Sequence, residues 1–262
     1  MTLARISASS YSNTAPLVWS FLYGSQHGQV EMILDNAPAR SAQLLAEGRF
    51  DAALVPVIAY QAIENARLIP DVCVGAKEKV RSVCLVTKGE DIDKAKTVAL
   101  DVSSKTSVAL TKIIFREFLS FEPEWQDAAP DVDAMLAASD AALIIGDPAL
   151  ALSNGPAYRV FDLAELWRAH TSLGFIFAMW MTRKEKCEID FAAARDEGMA
   201  HVDAIAANYA GQIALSVDEI TTYLTENITY SPDTSMLDGM KLYFELAAKH
   251  GLIPSNRQLD FV

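Results

Sequence analysis

Apolar and polar positions alternate along the first 180 residues in a way that predicts strands and helices in turn. Short runs of apolar residues such as "VEMILD", "DAALVPV" and "DAALIIGD" are typical of buried strands. Between such runs lie segments with helical spacing, as in 105–118, where Leu110, Ile114 and Phe118 recur every four residues. Alternation of this kind predicts βαβ units and parallel sheets. After Arg183 the pattern is almost wholly helical, with "NITYSP" as an interruption.

A short internal echo bears on the domain organisation. The segments "AQLLAEGRFDAALVPV" and "DAMLAASDAALIIGD" both run from an apolar helix into Asp-Ala-Ala-Leu. We interpret them as corresponding parts of two α/β lobes, with one continuous sheet as the alternative. Residues 1–87 and 180–262 are then expected to form lobe one, and 88–179 lobe two. Two crossings, near 87–89 and 180–181, would make a hinge over a ligand cleft, as in the type II periplasmic-binding-protein-like α/β fold.

Charge and cysteine content restrict the partners and the compartment. The net charge of −12 argues against nucleic acid or an anionic membrane surface as partner, because both require a basic face. An anionic ligand would therefore need a local group of donors. The three cysteines show no CxxC spacing, and the N-terminus "MTLARISASS" lacks the apolar run of a signal peptide. We expect a cytoplasmic protein without a membrane span.

Four polar stretches follow predicted strands. They are "SSYSNTAP", "VPVIAY", "DVSSKTSV" and "IGDPAL", two in each predicted lobe. In open parallel sheets, ligands bind beyond the carboxyl ends of the strands, so closure of the hinge would bring these stretches together. The sequence therefore predicts a polar site in the cleft.

The stretch "DVSSKTSV" has the pattern of an anion site. Ser103 or Ser104 suits the N-cap of the following helix, which leaves the N–H groups of 105–107 without helical partners. Those donors, the helix dipole and the hydroxyls of Thr106 and Ser107 favour a carboxylate or phosphate. A cluster that only caps its own helix is the alternative.

The stretch "KEKVRSVCLV" alternates like a strand. Lys77 and Lys79 are expected to be solvated, whereas Arg81 and Ser82 adjoin the apolar run. Arg81 could then bind a carboxylate through a bidentate contact. The four histidines are scattered without HExxH or a cysteine partner, so no metal site is expected. GxSxG, Walker and GxGxxG motifs do not occur.

Together these motifs resemble a known family. "SYSNTAPLV", "EGRFDAALVPV", "VRSVCLVTK", "TVALDVSSKTSVAL", "ALIIGDPAL" and "FDLAELWRAHTSLGFIFAMW" occur in the order typical of the MqnA/MqnD family of the futalosine route to menaquinone. The chain departs from the family pattern at Ser12, where an aliphatic residue is usual, and at Lys105, where Arg is usual. The dihydroxynaphthoate synthase branch carries a His-Glu pair where this chain has Gly146 and Asp147, so the chain more closely resembles the chorismate dehydratase branch.

The resemblance implies a function and a set of site residues. The reaction would be loss of water from chorismate, giving 3-[(1-carboxyvinyl)oxy]benzoate without any cofactor. Asn13 and Ser82 are the implied catalytic residues. The implied general base is either Asp147 or a carboxylate of the substrate. The residues expected to bind substrate are Ser10, Tyr11, Thr14, Arg81, Ser104, Thr106, Ser107, Gly146 and Asp147.

The same sequence features also fit a second function. A non-catalytic cytosolic solute-binding or sensor protein for a small carboxylate would use the same fold and the same anion donors. In either case the expected partner is a small molecule, and the chain could also form a homodimer.

Overall fold

The computed structural model describes residues 3–35, 38–155 and 157–262. Residues 1, 2, 36 and 37 of the first expected lobe and residue 156 of the second lie outside them. Within the described residues the strands form two five-stranded sheets. The strands are β1 (Ala4–Ser9), β2 (Val30–Asp35), β3 (Ala52–Pro56), β4 (Arg67–Ala76), β5 (Val83–Thr87), β6 (Thr97–Asp101), β7 (Glu124–Ala128), β8 (Ala141–Ile145), β9 (Arg159–Asp162) and β10 (Phe175–Thr182).

Helices connect these strands and make up most of the C-terminal region. The α-helices are α1 (Ala15–Tyr23), α2 (Pro38–Ala46), α3 (Lys105–Ile113), α4 (Val132–Ala138), α5 (Asp147–Leu150), α6 (Leu163–Thr171), α7 (Phe191–Ala200), α8 (Val202–Ala210), α9 (Val217–Thr222) and α10 (Thr234–Lys249). Turns of 3₁₀-helix occupy Ser12–Thr14, Val57–Gln61 and Ile92–Lys94. Two π-helical segments, Ile114–Phe118 and Tyr223–Asn227, extend α3 and α9.

The two sheets have the same internal arrangement. The first has the strand order β2-β1-β3-β10-β4 and the second the order β7-β6-β8-β5-β9. In each, three neighbouring strands are parallel and the last two pair antiparallel. The two Asp-Ala-Ala-Leu strands, β3 and β8, occupy the same central position in their sheets. The sequence echo therefore corresponds to a structural repeat. The sequence predicts parallel sheets, but each sheet is mixed, with both parallel and antiparallel pairs.

The chain crosses between the sheets earlier than expected, at both crossings. Strand β5 pairs with β8 and β9, so the chain enters the second sheet between Ala76 and Val83 and not near 87–89. Strand β10 pairs with β3 and β4, so the chain returns before Phe175. The physical reason is that each Asp-Ala-Ala-Leu strand is completed by an antiparallel partner from the other half of the chain. The division of the chain into two lobes stays a prediction.

The polar loop that follows β1 is held in position by the packing of α1 against α7. Its backbone leads into α1. Gly198 of α7 lies against the backbone of Pro16, where a Cβ atom would come within 1.8 Å of the Pro16 carbonyl oxygen. Helix α10 packs against both β10 and α3. The C-terminal helices thus support the first sheet and reach the second.

Candidate active site

A small cavity lies between the two sheets, beyond the ends of their central strands. Its volume is about 70 Å³, which leaves room for a few water molecules. Apolar walls come from β3, β4 and β10 of the first sheet and from β5 and β8 of the second. The first sheet side contributes the polar side chains of Ser9, Tyr11, Asn13 and Thr14, and the second contributes those of Ser82, Ser104 and Ser107.

The loop after β1 presents Asn13 to this cavity without using it as a helix cap. Pro16 lies in the first turn of α1, and no side chain caps either that helix or the preceding 3₁₀-turn. The Thr14 hydroxyl lies 2.8 Å from that of Ser9 and donates a 3.3 Å hydrogen bond to the Asn13 amide oxygen. Local hydrogen bonds therefore fix the loop and leave Asn13 at the cavity wall.

Ser12 connects the first sheet side to Asp147 of the second. Its hydroxyl donates to Asp147 Oδ1 at 2.5 Å, and its N–H lies 3.2 Å from each carboxylate oxygen. Burial raises the pKa of Asp147, while these hydrogen bonds from Ser12 act in the opposite direction. Asp147 does not line the cavity, so its carboxylate is used in a contact between the two sheet regions.

Gly146 gives Tyr11 its place in the wall. The glycine has φ +69°, a left-handed conformation that other residues rarely adopt, and a Cβ atom there would lie 2.8 Å from the Tyr11 ring. Burial raises the pKa of Tyr11, and the nearby carboxylates of Asp101 and Asp147 raise it further. Tyr11 is therefore a neutral side chain whose ring packs against the backbone of Gly146.

The N-terminus of α3 is capped by a serine that also lines the cavity. Ser104 is the N-cap and accepts a 3.3 Å hydrogen bond from the N–H of Ser107, and the two hydroxyls lie 2.9 Å apart. Both side chains also line the cavity. Thr106 points elsewhere: it is fully buried, and its hydroxyl accepts a 3.3 Å hydrogen bond from the N–H of Ile58. Ser104 and Ser107 are thus the members of this stretch that could contact an anion.

Arg81 does not lie on a strand, in contrast to the expectation, and it does not line the cavity. Strand β5 begins two residues later, and Arg81 has φ +61°. The reason is the buried carboxylate of Asp162, which accepts hydrogen bonds from the N–H groups of Val80 at 3.2 Å and Arg81 at 2.6 Å. This contact bends the segment into a turn. Ser82 is then fully buried, and its hydroxyl, which faces the cavity, has no hydrogen-bond partner among the described residues.

Ser10 also lies outside the cavity lining. Its backbone N–H donates to the carbonyl of Asp35 at 3.2 Å, and its carbonyl accepts a 3.2 Å hydrogen bond from the Tyr209 hydroxyl. Ser10 therefore holds the start of the loop between β2 and α8.

Tyr223 lies next to the site, and the sequence does not predict it. It opens the π-helical segment after α9, is fully buried, and lies beside Ser82 and Asn13. Burial raises its pKa, while Ser82 and Asn13 act in the opposite direction. No motif marks this residue, because it lies in the C-terminal helical region where neither strand ends nor turn signals occur.

No group of three or more His, Cys, Asp and Glu side chains that could hold a metal ion occurs in the described ranges. Within those same residues, no helix is long and apolar enough to cross a membrane. A wider groove of about 860 Å³, lined mainly by apolar side chains, lies between α2 and α3.

Comparison with known proteins gives the family. The model of a menaquinone biosynthesis family matches residues 4–249. A chorismate dehydratase from Thermus thermophilus is 29% identical over 235 residues, which is 81% of this chain and 85% of the relative. This agrees with the resemblance that the sequence motifs indicated.

Solved structures confirm the fold class. A protein from Archaeoglobus fulgidus superposes with a TM-score of 0.78 at 17% identity, covering 95% of this chain and 98% of its own. The alkanesulfonate-binding protein SsuA from Xanthomonas axonopodis, bound to MOPS, gives a TM-score of 0.71 at 14% identity, covering 98% of this chain and 96% of its own. The periplasmic aliphatic sulphonate binding protein SsuA from Escherichia coli gives 0.65 at 18% identity, covering 100% and 94%. The chain has the periplasmic-binding-protein-like α/β fold.

Proposed function

Because the chain belongs to the menaquinone biosynthesis family, we propose that it is a chorismate dehydratase that converts chorismate to 3-[(1-carboxyvinyl)oxy]benzoate. It would act as a hydro-lyase on the futalosine route and would need no cofactor. The observation that carries this proposal is that Asn13 and Ser82, from opposite sheets, line the same cavity. Both are neutral hydrogen-bonding groups suited to a departing hydroxyl.

The chemistry sets what the protein has to supply. The C3–H bond breaks, its electron pair becomes a double bond of the ring, and the C4–O bond breaks as the hydroxyl leaves. The proton from C3 and the departing hydroxide together make one water. Aromatisation of the ring drives the reaction. The site has to bind two carboxylates, assist departure of the hydroxyl and exclude solvent.

The polar residues of the cavity can be assigned to these tasks. The amide of Asn13 and the hydroxyl of Ser82 would donate hydrogen bonds to the leaving oxygen. The hydroxyls of Ser104 and Ser107, together with the N-terminus of α3, would bind one carboxylate. Tyr11 and Thr14 would contact the ring and its second carboxylate from the first sheet side.

Of the two bases considered from the sequence, the substrate carboxylate fits the site better. The Asp147 carboxylate accepts three contacts from Ser12 and does not line the cavity. A base has to reach the proton that it removes, within hydrogen-bond distance or through one water. We therefore propose that the carboxylate of the enolpyruvyl group removes the proton from the neighbouring C3.

Substrate entry would require the two sheets to move apart. A cavity of about 70 Å³ is too small for a ring that bears a carboxylate and an enolpyruvyl side chain. Movement about the two crossings of the chain, 77–82 and 172–174, would open it. Closure would then expel water and bring Asn13 and Ser82 to the same substrate atom.

The alternative is a non-catalytic solute-binding protein, which the likeness to sulphonate-binding proteins favours. Incubation of purified protein with chorismate, followed by ultraviolet absorption and mass spectrometry of the product, separates the two functions. Loss of one water with growth of an aromatic spectrum is the expected result. Binding with chorismate left intact would favour the alternative. The proposal also places the enzyme in the cytoplasm, where its free cysteines would stay reduced.

A further inference from the structure

The hydroxyl of Tyr223 lies behind the cavity wall. Tyr223 is fully buried at the start of the π-helical segment 223–227, and its hydroxyl has no hydrogen-bond partner among the described residues. Leaving a buried hydroxyl unpaired is unfavourable, and a phenylalanine would fill the same space without that penalty. The Tyr223 hydroxyl is therefore available to donate to a group that comes within reach during the reaction.

The neighbours of the Tyr223 hydroxyl belong to the cavity wall. Ser82 and Asn13 lie close enough to lower the pKa of Tyr223, against the larger effect of burial, which raises it. Neither contact has the geometry of a hydrogen bond. The Ser82 hydroxyl is itself fully buried, unpaired within the described chain, and part of the cavity lining. The unpaired hydroxyls of Tyr223 and Ser82 are thus neighbours. Asn13, the other residue assigned to the leaving oxygen, lies beside them.

We propose that Tyr223 is a positioning residue for the dehydration: in the substrate-bound enzyme its hydroxyl donates a hydrogen bond to Ser82 Oγ and so aims the Ser82 hydrogen at the leaving oxygen. This inference rests on the proposed function. As the C4–O bond breaks, its electron pair stays on the departing oxygen, and the charge that develops there is shared through Ser82 with Tyr223. Tyr223 loses no proton overall. It does not line the cavity and acts only through Ser82.

Tyr230 offers a matched control. It is also buried, its hydroxyl also lacks a hydrogen-bond partner among the described residues, and burial raises its pKa as well. The residues that act on its hydroxyl are Tyr223 and Cys73, and neither lines the cavity. Replacing either tyrosine by phenylalanine removes one buried, unpaired hydroxyl, but only one of the two adjoins Ser82.

The test uses the full-length variants Tyr223→Phe, Tyr230→Phe, Ser82→Ala and the double variant Tyr223→Phe/Ser82→Ala. Thermal unfolding is measured for each, together with kcat and KM for chorismate. Both phenylalanine variants are expected to unfold at or above the wild-type temperature. Tyr223→Phe should lower kcat by about 10- to 100-fold with little change in KM, the effect of one hydrogen bond to a group that gains charge. Tyr230→Phe should keep wild-type kinetics, and the double variant should be no slower than Ser82→Ala.

The outcomes separate two failures. Wild-type protein that binds chorismate and leaves it intact would overturn the proposed function and this inference with it. Active wild-type enzyme with an equally active Tyr223→Phe would overturn this inference alone. Equal losses in Tyr223→Phe and Tyr230→Phe, or losses that multiply in the double variant, would also overturn it, because the hydroxyl would then not act through Ser82.

Discussion

Ser12 and Asp147 are 135 positions apart in the chain, and their side chains join the two sheet regions through a hydrogen bond of 2.5 Å. Two further contacts from the Ser12 N–H reach the same carboxylate. The contact lies at the rim of the cavity and holds its two sides together.

Removal of the Ser12 hydroxyl should favour an open protein. In Ser12→Ala, the half-buried Asp147 carboxylate loses a donor, which costs about 1–3 kcal/mol of the closed state. The radius of gyration of the ligand-free variant, measured by small-angle scattering, should exceed that of the wild type, and substrate should reduce the difference. Ser7→Ala is the control, because Ser7 bonds Ser41 within the first lobe at 2.9 Å. An unchanged radius in Ser12→Ala would contradict the assignment.

The stability of the protein should depend on pH through Asp147. Burial raises the pKa of this carboxyl in the folded state, so between the unfolded pKa of about 3.9 and the higher folded value the folded protein binds more protons. The contribution of Asp147 to stability therefore falls as pH rises through this window and is constant above it. The free energy of unfolding of the wild type, minus that of Asp147→Asn, should decrease from pH 3 to pH 7 in urea titrations. A difference that grows with pH would show that hydrogen bonding outweighs burial.

The sequence predicts the fold well because strands and helices leave local patterns. Helix 105–118 has the expected bounds as α3 and its π-helical extension, and the two Asp-Ala-Ala-Leu segments occupy equivalent strands. The sequence predicts the first crossing later in the chain than the structure has it, because "KEKV" alternates like a strand. What bends that segment is the carboxylate of Asp162, a residue more than 75 positions away, and no local pattern reveals such a contact.

In the candidate site too, the sequence predicts the residues that follow strand ends and not those placed by distant contacts. Asn13, Ser104 and Ser107 follow strand ends, so topology alone brings them to the cavity. The direction of Arg81 depends on a backbone turn fixed by distant contacts. Tyr223 arrives from the C-terminal helices, whose sequence shows amphipathic spacing and nothing that marks a buried hydroxyl.

Neighbouring residues of α3 should have separable roles. Ser107→Ala removes a hydroxyl that lines the cavity, and a hydrogen bond to a charged group is worth roughly 1.5–3 kcal/mol, so substrate affinity should fall about 10- to 150-fold. Thr106→Val removes the acceptor of the Ile58 N–H, so unfolding should occur at a lower temperature with affinity unchanged. Calorimetric titration and thermal unfolding of both variants check this. Equal affinities would show that Ser107 only supports the helix cap.

Gly146 should not tolerate a side chain. A Cβ atom in Gly146→Ala would meet the Tyr11 ring at 2.8 Å in a backbone conformation that alanine avoids. We expect a loss of about 1–3 kcal/mol of stability and displacement of Tyr11 into the cavity, with weaker substrate binding. Gly211→Ala is the control, since no atom beyond its immediate chain neighbours lies within 4 Å of its Cβ position. Chemical denaturation of the two variants gives the comparison, and similar stabilities would show that Tyr11 can move aside freely.

Asn13 should matter for turnover and hardly for folding. The usual structural role of asparagine before a helix is an N-cap, whose loss costs about 1 kcal/mol. Here neither the 3₁₀-turn nor α1 has a side-chain cap, and among the described residues the Asn13 amide oxygen accepts one hydrogen bond, of 3.3 Å, from the Thr14 hydroxyl. Asn13→Ala should therefore unfold within a few degrees of the wild type. A donor aimed at an oxygen that gains charge acts mainly in the transition state, so kcat should fall by roughly 10²- to 10³-fold while chorismate still binds.

Asn208→Ala, a change on the exposed side of α8, serves as the control for expression and handling. Thermal unfolding, titration with chorismate and steady-state kinetics on the same preparations complete the test. Near-normal kcat in Asn13→Ala would remove this residue from the catalytic group and leave Ser82 as the donor to the leaving oxygen.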